Sequence, residues 1–274
     1  MLLRLKSFYL LAFLILTSIS LISAQETSVK NKKNEKQNSK PQATDASKNL
    51  TAEQVAESVI LIYGSRPSLN QIRKTTVERG KISVINAEGK TEQANYERYV
   101  SRSDNLQKDR VRLEQEFPNA KYALIYSGDK IFGLYNDAVF TPREDASKAF
   151  ENQIWHGLEA LLRYKENESK IELAGRDKLS SIDFYLLDVT DKQNRKTRFY
   201  ISAKTFRVMI LEYTEDNIKY RRRFYDYNYA QGTLVPYRSI LWANDKQIEE
   251  TDVQTVSFGQ KIEDDAFQAA AAAS

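Results

Sequence analysis

Reactive side chains are scarce in this chain. It has one histidine, His156, and no cysteine in 274 residues. Thiolate nucleophiles, disulfides and thiolate-held metals are therefore excluded, and so is lipid attachment at an N-terminal cysteine. A catalytic histidine needs a nucleophile or an orienting carboxylate at a set distance, and nothing around His156 has that form. Its spacing groups it with Asn152, Glu159 and Arg163 on the polar side of a helix, so it is expected to be solvated. Glu263-Asp264-Asp265 is a dense run of carboxylates, but adjacent residues scatter in direction and no matching ligand set occurs elsewhere. It reads better as an acidic helix start that carries Phe267 into the core. No phosphate loop, zincin helix or nucleophile elbow is present. These residues point away from an enzyme, a metal site and a bound cofactor.

A second constellation is basic and aromatic. Lys219, Arg221 and Arg223 alternate along one predicted strand and share a face with Tyr225, Tyr227 and Tyr229. Such a face could meet an acidic partner or an anionic lipid. The plainer reading is the solvated outer face of a sheet, because Glu212, Asp226 and Glu249 lie on this or nearby strands and can pair with it. The formal charge of +4 gives no argument for nucleic acid.

The elements that must position these residues are mostly strands. Sixteen tyrosines and twelve phenylalanines, against nine glycines and five prolines, favour long strands over a loop-rich fold. The chain opens with a short basic region, an apolar run from Phe8 to Ile22 and a small residue, Ala24, before Gln25. This is the outline of a secretory signal peptide over residues 1–24, with an uncleaved anchor as the other reading. Its apolar run is a little short of the ~20 residues that span a bilayer comfortably. Removal of Arg4 and Lys6 takes the formal charge from +4 to +2. Residues 25–49 are polar and Lys-rich, too poor in apolar side chains to order. The domain is expected over 50–267, with a disordered alanine tail at 268–274.

Within the domain, Thr51 and Gln54 form a capping-box pattern ahead of a helix that ends near Gly64. A long helix is expected from Pro142 to Lys165, with an apolar stripe through Phe150, Ile154, Leu158 and Leu161. The rest alternates with period two and turns tightly, as at Gly128-Asp129 and Asn244-Asp245. The expected class is α+β, mainly β: a curved antiparallel sheet or incomplete β-barrel of about ten strands covered by two helices. The side chains expected to face inward are Phe184, Leu186, Val208, Ile210, Leu234, Ile240 and Trp242, together with the helix stripe. They are either an ordinary packed core or the lining of a partly filled cavity that takes an apolar ligand; sequence alone leaves both open.

Four stretches carry a resemblance to a known family. They are the N-terminal helix with Leu69-Asn70-Gln71-Ile72; Leu158 to Leu162 before Ile171 to Gly175; Thr197 to Val208; and Phe224-Tyr225-Asp226-Tyr227 with Gly232, Leu234 and Pro236, followed by Val256 to Phe267. In these the chain resembles the LolA-like, outer-membrane lipoprotein-sorting superfamily, over about Leu50 to Phe267. Ser202-Ala203 stands where such proteins place an Asp-Pro pair, and no position matches the family's lid-locking arginine. The resemblance implies an incomplete barrel closed by helices, whose apolar cavity shields lipoprotein acyl chains crossing the periplasm. It implies a monomeric, cofactor-free, non-enzymatic carrier that deals with lipidated protein or a lipid acyl chain and with membrane-associated donors or acceptors. The lack of cysteine fits a soluble carrier. The alternative is a sensor module of the same fold that binds a partner protein through the Arg221–Tyr229 surface.

Overall fold

The computed structural model describes residues 50–268 apart from 86–87, 119 and 137. The expected signal peptide at 1–24, the linker at 25–49 and the tail beyond 268 lie outside the described residues, as do the turn residues 86–87 and 119. Helix α1 (Ala52–Tyr63) starts on the expected capping box. The Gln54 N–H donates to Thr51 Oγ1 at 3.2 Å, and the Thr51 N–H donates to Gln54 Oε1 at 2.9 Å. Gly64 ends it at φ 132°, in the left-handed range where a side chain is strained. A short helix α2 (Arg66–Ile72) follows, with Pro67 in its first turn.

The remainder of the domain is one antiparallel sheet. Its first half is β1 (Thr75–Ile85), β2 (Thr91–Ser101), β3 (Arg110–Phe117), β4 (Ala120–Ser127), β5 (Lys130–Tyr135) and β6 (Ala138–Phe140). Its second half is β7 (Lys170–Leu179), β8 (Ile182–Thr190), β9 (Lys196–Ser202), β10 (Val208–Glu215), β11 (Ile218–Ala230), β12 (Thr233–Ala243) and β13 (Lys246–Phe258). In space the order is β6-β5-β4-β3-β2-β1-β13-β12-β11-β10-β9-β8-β7. Each half is a meander of chain neighbours, and the halves are joined by pairing of β1 with β13. The edges β6 and β7 do not meet, so the sheet is not closed into a barrel.

The class and the antiparallel sheet are as expected, but the sheet has thirteen strands rather than about ten. Strand β6 is three residues long, too short to show a period. Strand β7 carries a bulge where its register against β8 shifts, and Gly175 sits there at φ 119°. The expected long helix is also divided. Helix α3 (Glu144–Trp155) stops at His156, and α4 (Leu158–Leu162) restarts with Gly157 as its N-cap. A Cβ on Gly157 would lie 2.9 Å from the Gln153 carbonyl oxygen, so this close return of the chain suits glycine. Among the described residues four α-helices therefore stand where two were expected.

The helices lie on one face of the sheet and organise two cores. Helices α1 and α4 cover β8 to β12, burying Val59, Tyr63 and Leu161 against Leu187, Phe199 and Leu211. Helix α3 covers β1 to β4, with Phe150 and Ile154 against Ile82, Leu113 and Tyr126. Trp155 touches both. On the other face, Phe267 is buried against Ala123, Ile125 and Leu134 by a 3-10 turn at Asp264–Phe267, the role expected of the acidic run before it.

Candidate functional site

Apart from Trp155, which packs on both, the two cores are separate. Between them, α3, α4 and the middle of the sheet enclose a cavity of about 230 Å³. The reason lies in the middle strands. Along this part of the wall Thr76 and Glu78 of β1, Glu249, Thr251 and Val253 of β13, and Ser239 of β12 are small or polar, and they leave a space that Ile82 of β1 and the ion pairs of Arg73 and Arg102 with Glu159 only partly fill. The sheet also splays here. Strand β12 pairs with β13 only from Arg238 to Ala243, while β13 pairs with β1 as far as Phe258. The Gln231 side chain fills the gap, accepting from the Phe258 N–H at 2.6 Å and donating to the Phe258 carbonyl at 3.3 Å.

The wall is part apolar and part charged. Ile82, Val100, Val111, Leu113, Ile154 and Leu158 supply the apolar part. Arg73, Arg98, Arg102 and Arg222 supply guanidinium groups, and Glu78, Asp109, Glu159 and Glu249 supply carboxylates. Glu159 of α4 holds Arg73 at 2.7 Å and Arg102 at 3.1 Å. Burial alone would raise its pKa, but the guanidinium groups of Arg102, Arg73 and Arg163 overcome this and hold it at about 2. Burial lowers Arg73 to about 10, against the opposing pull of Glu159. Arg163 bonds Asp109 at 2.6 Å and the Ser103 carbonyl at 2.7 Å. Arg222 pairs with Glu249 at 2.9 Å, and Tyr96 donates to Glu78 at 2.8 Å. Arg98 has no side-chain hydrogen bond or ion pair among the described residues, and its Nε is buried.

His156 is not solvated, contrary to the polar-face reading. It is 3% exposed, lies on the cavity wall, and its Nδ1 is 2.7 Å from Thr197 Oγ1. Its ring stacks on Tyr213 with centroids 4.0 Å apart. Burial, and then the charge of Arg195, lower its pKa to about 4, so it is neutral at physiological pH. The helix break at Gly157 turns it inward, along with Glu159 and Arg163. Among the described residues no group of three or more His, Asp or Glu side chains is placed to hold a metal ion.

The expected inward set divides. Ile154 and Leu158 line the cavity, while Phe150, Leu161, Val208 and Leu234 are buried in the packed cores beside it. Phe184, Leu186 and Ile210 lie on the opposite face, in a cluster with Tyr200 that no helix joins. Their neighbours Tyr185, Leu187 and Leu211 face the helices instead. Ile240 and Trp242 go with them: Ile240 pairs across β11 with Arg223, which pairs with Ile210, and Trp242 lies under the Arg223 guanidinium at 5.7 Å. The basic row is also changed. Arg221 donates to Glu212 at 2.6 Å and Lys219 lies 3.3 Å from it. Tyr227 leaves the row at Asp226, where φ is 52°, and its hydroxyl meets that of Tyr63 at 3.0 Å. The cavity's arginines were within reach of the sequence. Tyr96, Arg98 and Val100 alternate on β2 and Arg102 lies one residue past its end, so a face that turns Tyr96 and Val100 inward brings both arginines to it.

No family model and no curated protein matches the chain. Solved structures do. A LolA superfamily protein from Nitrosomonas europaea superposes with a TM-score of 0.57 at 13% identity, over 80% of this chain and 98% of that one. The chain has the LolA-like fold. A DUF1329 family protein from Desulfovibrio piger is similar to the same extent, with a TM-score of 0.55, 13% identity, and the same shares of the two chains. In LolA-like terms, the open sheet with helices on one face is the shared framework.

Proposed function

We propose that the chain is a non-enzymatic carrier or binder of acyl-chain ligands in the periplasm. The observation that carries this reading is the cavity between α3, α4 and the sheet, in a chain of LolA-like fold. Export rests on the signal read in residues 1–24. Each CH₂ moved from water to an apolar wall is worth ~0.8 kcal/mol, so a few turns of chain against Ile82, Val111, Leu113 and Ile154 bind reversibly. At about 230 Å³ the ligand-free cavity is smaller than the ~300–1,000 Å³ usual for small-molecule sites. A long chain would therefore need α3 and α4 to shift about their break at Gly157.

The sensor alternative draws less support. It relied on an exposed surface from Arg221 to Tyr229, and in that surface Arg221 is engaged by Glu212 while Tyr227 is internal. The carrier reading is tested by extracting protein purified from its native membranes and periplasm and seeking bound acyl species by mass spectrometry. Lipid at near one equivalent, displaced by added fatty acid, is the expected result. Lipid-free protein that also fails to bind a fluorescent fatty acid would sink the reading.

A further inference from the structure

We infer that the cavity's ligand is an amphiphile with an anionic head, a carboxylate or a phosphate monoester, and that Arg98 is the residue that anchors that head. This rests on the carrier reading and adds the polar end of the ligand to it. A purely apolar guest would suit walls made only of aliphatic and aromatic side chains, and these walls are not of that kind. The other guanidinium groups lining the cavity are committed: Arg73 and Arg102 to Glu159, and Arg222 to Glu249. The carboxylate facing Arg98 across the β1–β2 ladder, Glu78, accepts from Tyr96. The Nε of Arg98 is buried without a partner, as are those of Arg73 and Arg102, but among the described residues Arg98 alone of these four arginines has no ion pair or side-chain hydrogen bond to offset it, on a wall it shares with Val100 and Leu113. Leaving a buried donor unsatisfied costs ordinary stability, and native proteins keep such groups few.

A second observation comes from the helix side. His156, almost wholly buried, presents a buried Nε2 that also has no partner. In the tautomer whose Nδ1 accepts from Thr197, Nε2 carries the ring hydrogen and can donate to a ligand oxygen. Thus the sheet and the helices each bring a buried, unpartnered nitrogen to one cavity, and the apolar wall beside them suits a hydrocarbon tail. A ligand oxygen carrying negative charge completes Arg98 with a charge-assisted hydrogen bond, the stronger kind.

The test compares three ligands with one tail: hexadecanoate, hexadecyl phosphate and hexadecan-1-ol, titrated below their aggregation limits into delipidated protein. The wild type is expected to bind one or both anions about tenfold or more tighter than the alcohol. Whichever anion is preferred identifies the head as carboxylate or phosphate. Arg98→Met keeps the stem of the side chain and removes the charge. It should abolish the preference for the anion over the alcohol, and Arg98→Lys should keep most of that preference. Equal affinities in the wild type, or a preference that survives in Arg98→Met, overturns the inference. If Arg98→Met does not fold, salt decides: added salt should weaken anion binding and spare the alcohol, and identical salt responses overturn the inference. Alcohol binding with no anion preference refutes the head-group inference alone, whereas failure of all three ligands to bind refutes the carrier reading as well.

Discussion

Glu159→Gln removes one charge from the middle of the buried cluster and keeps the side chain's shape. In the folded chain this carboxyl is held at about 2, against an ordinary 4.5, by guanidinium groups that outweigh its burial. A folded-state pKa below the unfolded one stabilises the fold above the unfolded value, and the stabilisation disappears as pH falls through the folded value. A drop from 4.5 to about 2 corresponds to about 3 kcal/mol at neutral pH. The side chain is 20% exposed, so screening takes only a modest share of this. The amide can still accept a hydrogen bond but leaves Arg73 and Arg102 without counter-charge. Breaking one side of a buried pair costs ~3–5 kcal/mol, which agrees. The expected loss in Glu159→Gln is therefore about 3 kcal/mol at pH 7. Urea unfolding followed by far-UV circular dichroism measures it, and the gap between variant and wild type should close as pH is lowered from 4.5 towards 2. A loss below about 1 kcal/mol at pH 7, or a gap unchanged by acid, would mean the pair behaves like an exposed surface bridge. The assignment of Glu159 as the counter-ion of the cavity wall would then fail.

His156 is the chain's one histidine, so its ring gives a single titration by NMR. The midpoint should lie near 4 rather than 6.5, with the stability due to its neutral burial complete above 6.5 and lost as pH falls through 4; a midpoint near 6.5 refutes the buried placement. Leu161→Ala, at a fully buried position between α4 and the sheet, should cost ~2–5 kcal/mol in chemical unfolding. Leu61→Ala, 67% exposed on α1, should change stability by less than about 0.5 kcal/mol. Gly80→Ala should be among the most damaging small changes, because its Cβ would overlap the Asp252 carbonyl oxygen and crowd Tyr96 where β1 bulges against β13. A loss of about 3 kcal/mol or more is expected in the same unfolding assay, and near-wild-type stability would show that the two strands can part there without cost.

The strands were legible because their alternation is strong and their turns are tight, and the capping box at Thr51 and Gln54 marked α1 to the residue. What was not legible depended on which way a strand faced. In β8, Phe184, Tyr185, Leu186 and Leu187 are all apolar or aromatic, so the two faces look alike by period. Only the helices, packed on Tyr185 and Leu187, make one of them the inside. A bulge between Val208 and Ile210 then resets the alternation part-way along β10, and one between Gln247 and Glu249 does the same in β13. The site was missed for a related reason. A helix drawn unbroken through Gly157 places His156, Glu159 and Arg163 in water, and the break places them in the interior. The partners that make this tolerable, Arg73, Arg102, Asp109 and Thr197, come from other elements and share no local pattern with them.

The pairing of β1 with β13 also has a consequence for how the molecule comes together. Thr76 lies beside Phe258, so the seam at the centre of the sheet joins almost the first strand residue to the last. Each meander can form from local hairpins as the chain emerges, but until β13 is in place β1 and β12 are both bare edges. Long-range closure of this kind is slow, and bare edges invite pairing with the wrong chain. A chain still being made would expose that hazard until residues 246–258 had followed. The seam that completes the cavity wall is thus also the final step of assembly, and a ligand-competent cavity cannot exist before the last strand has arrived.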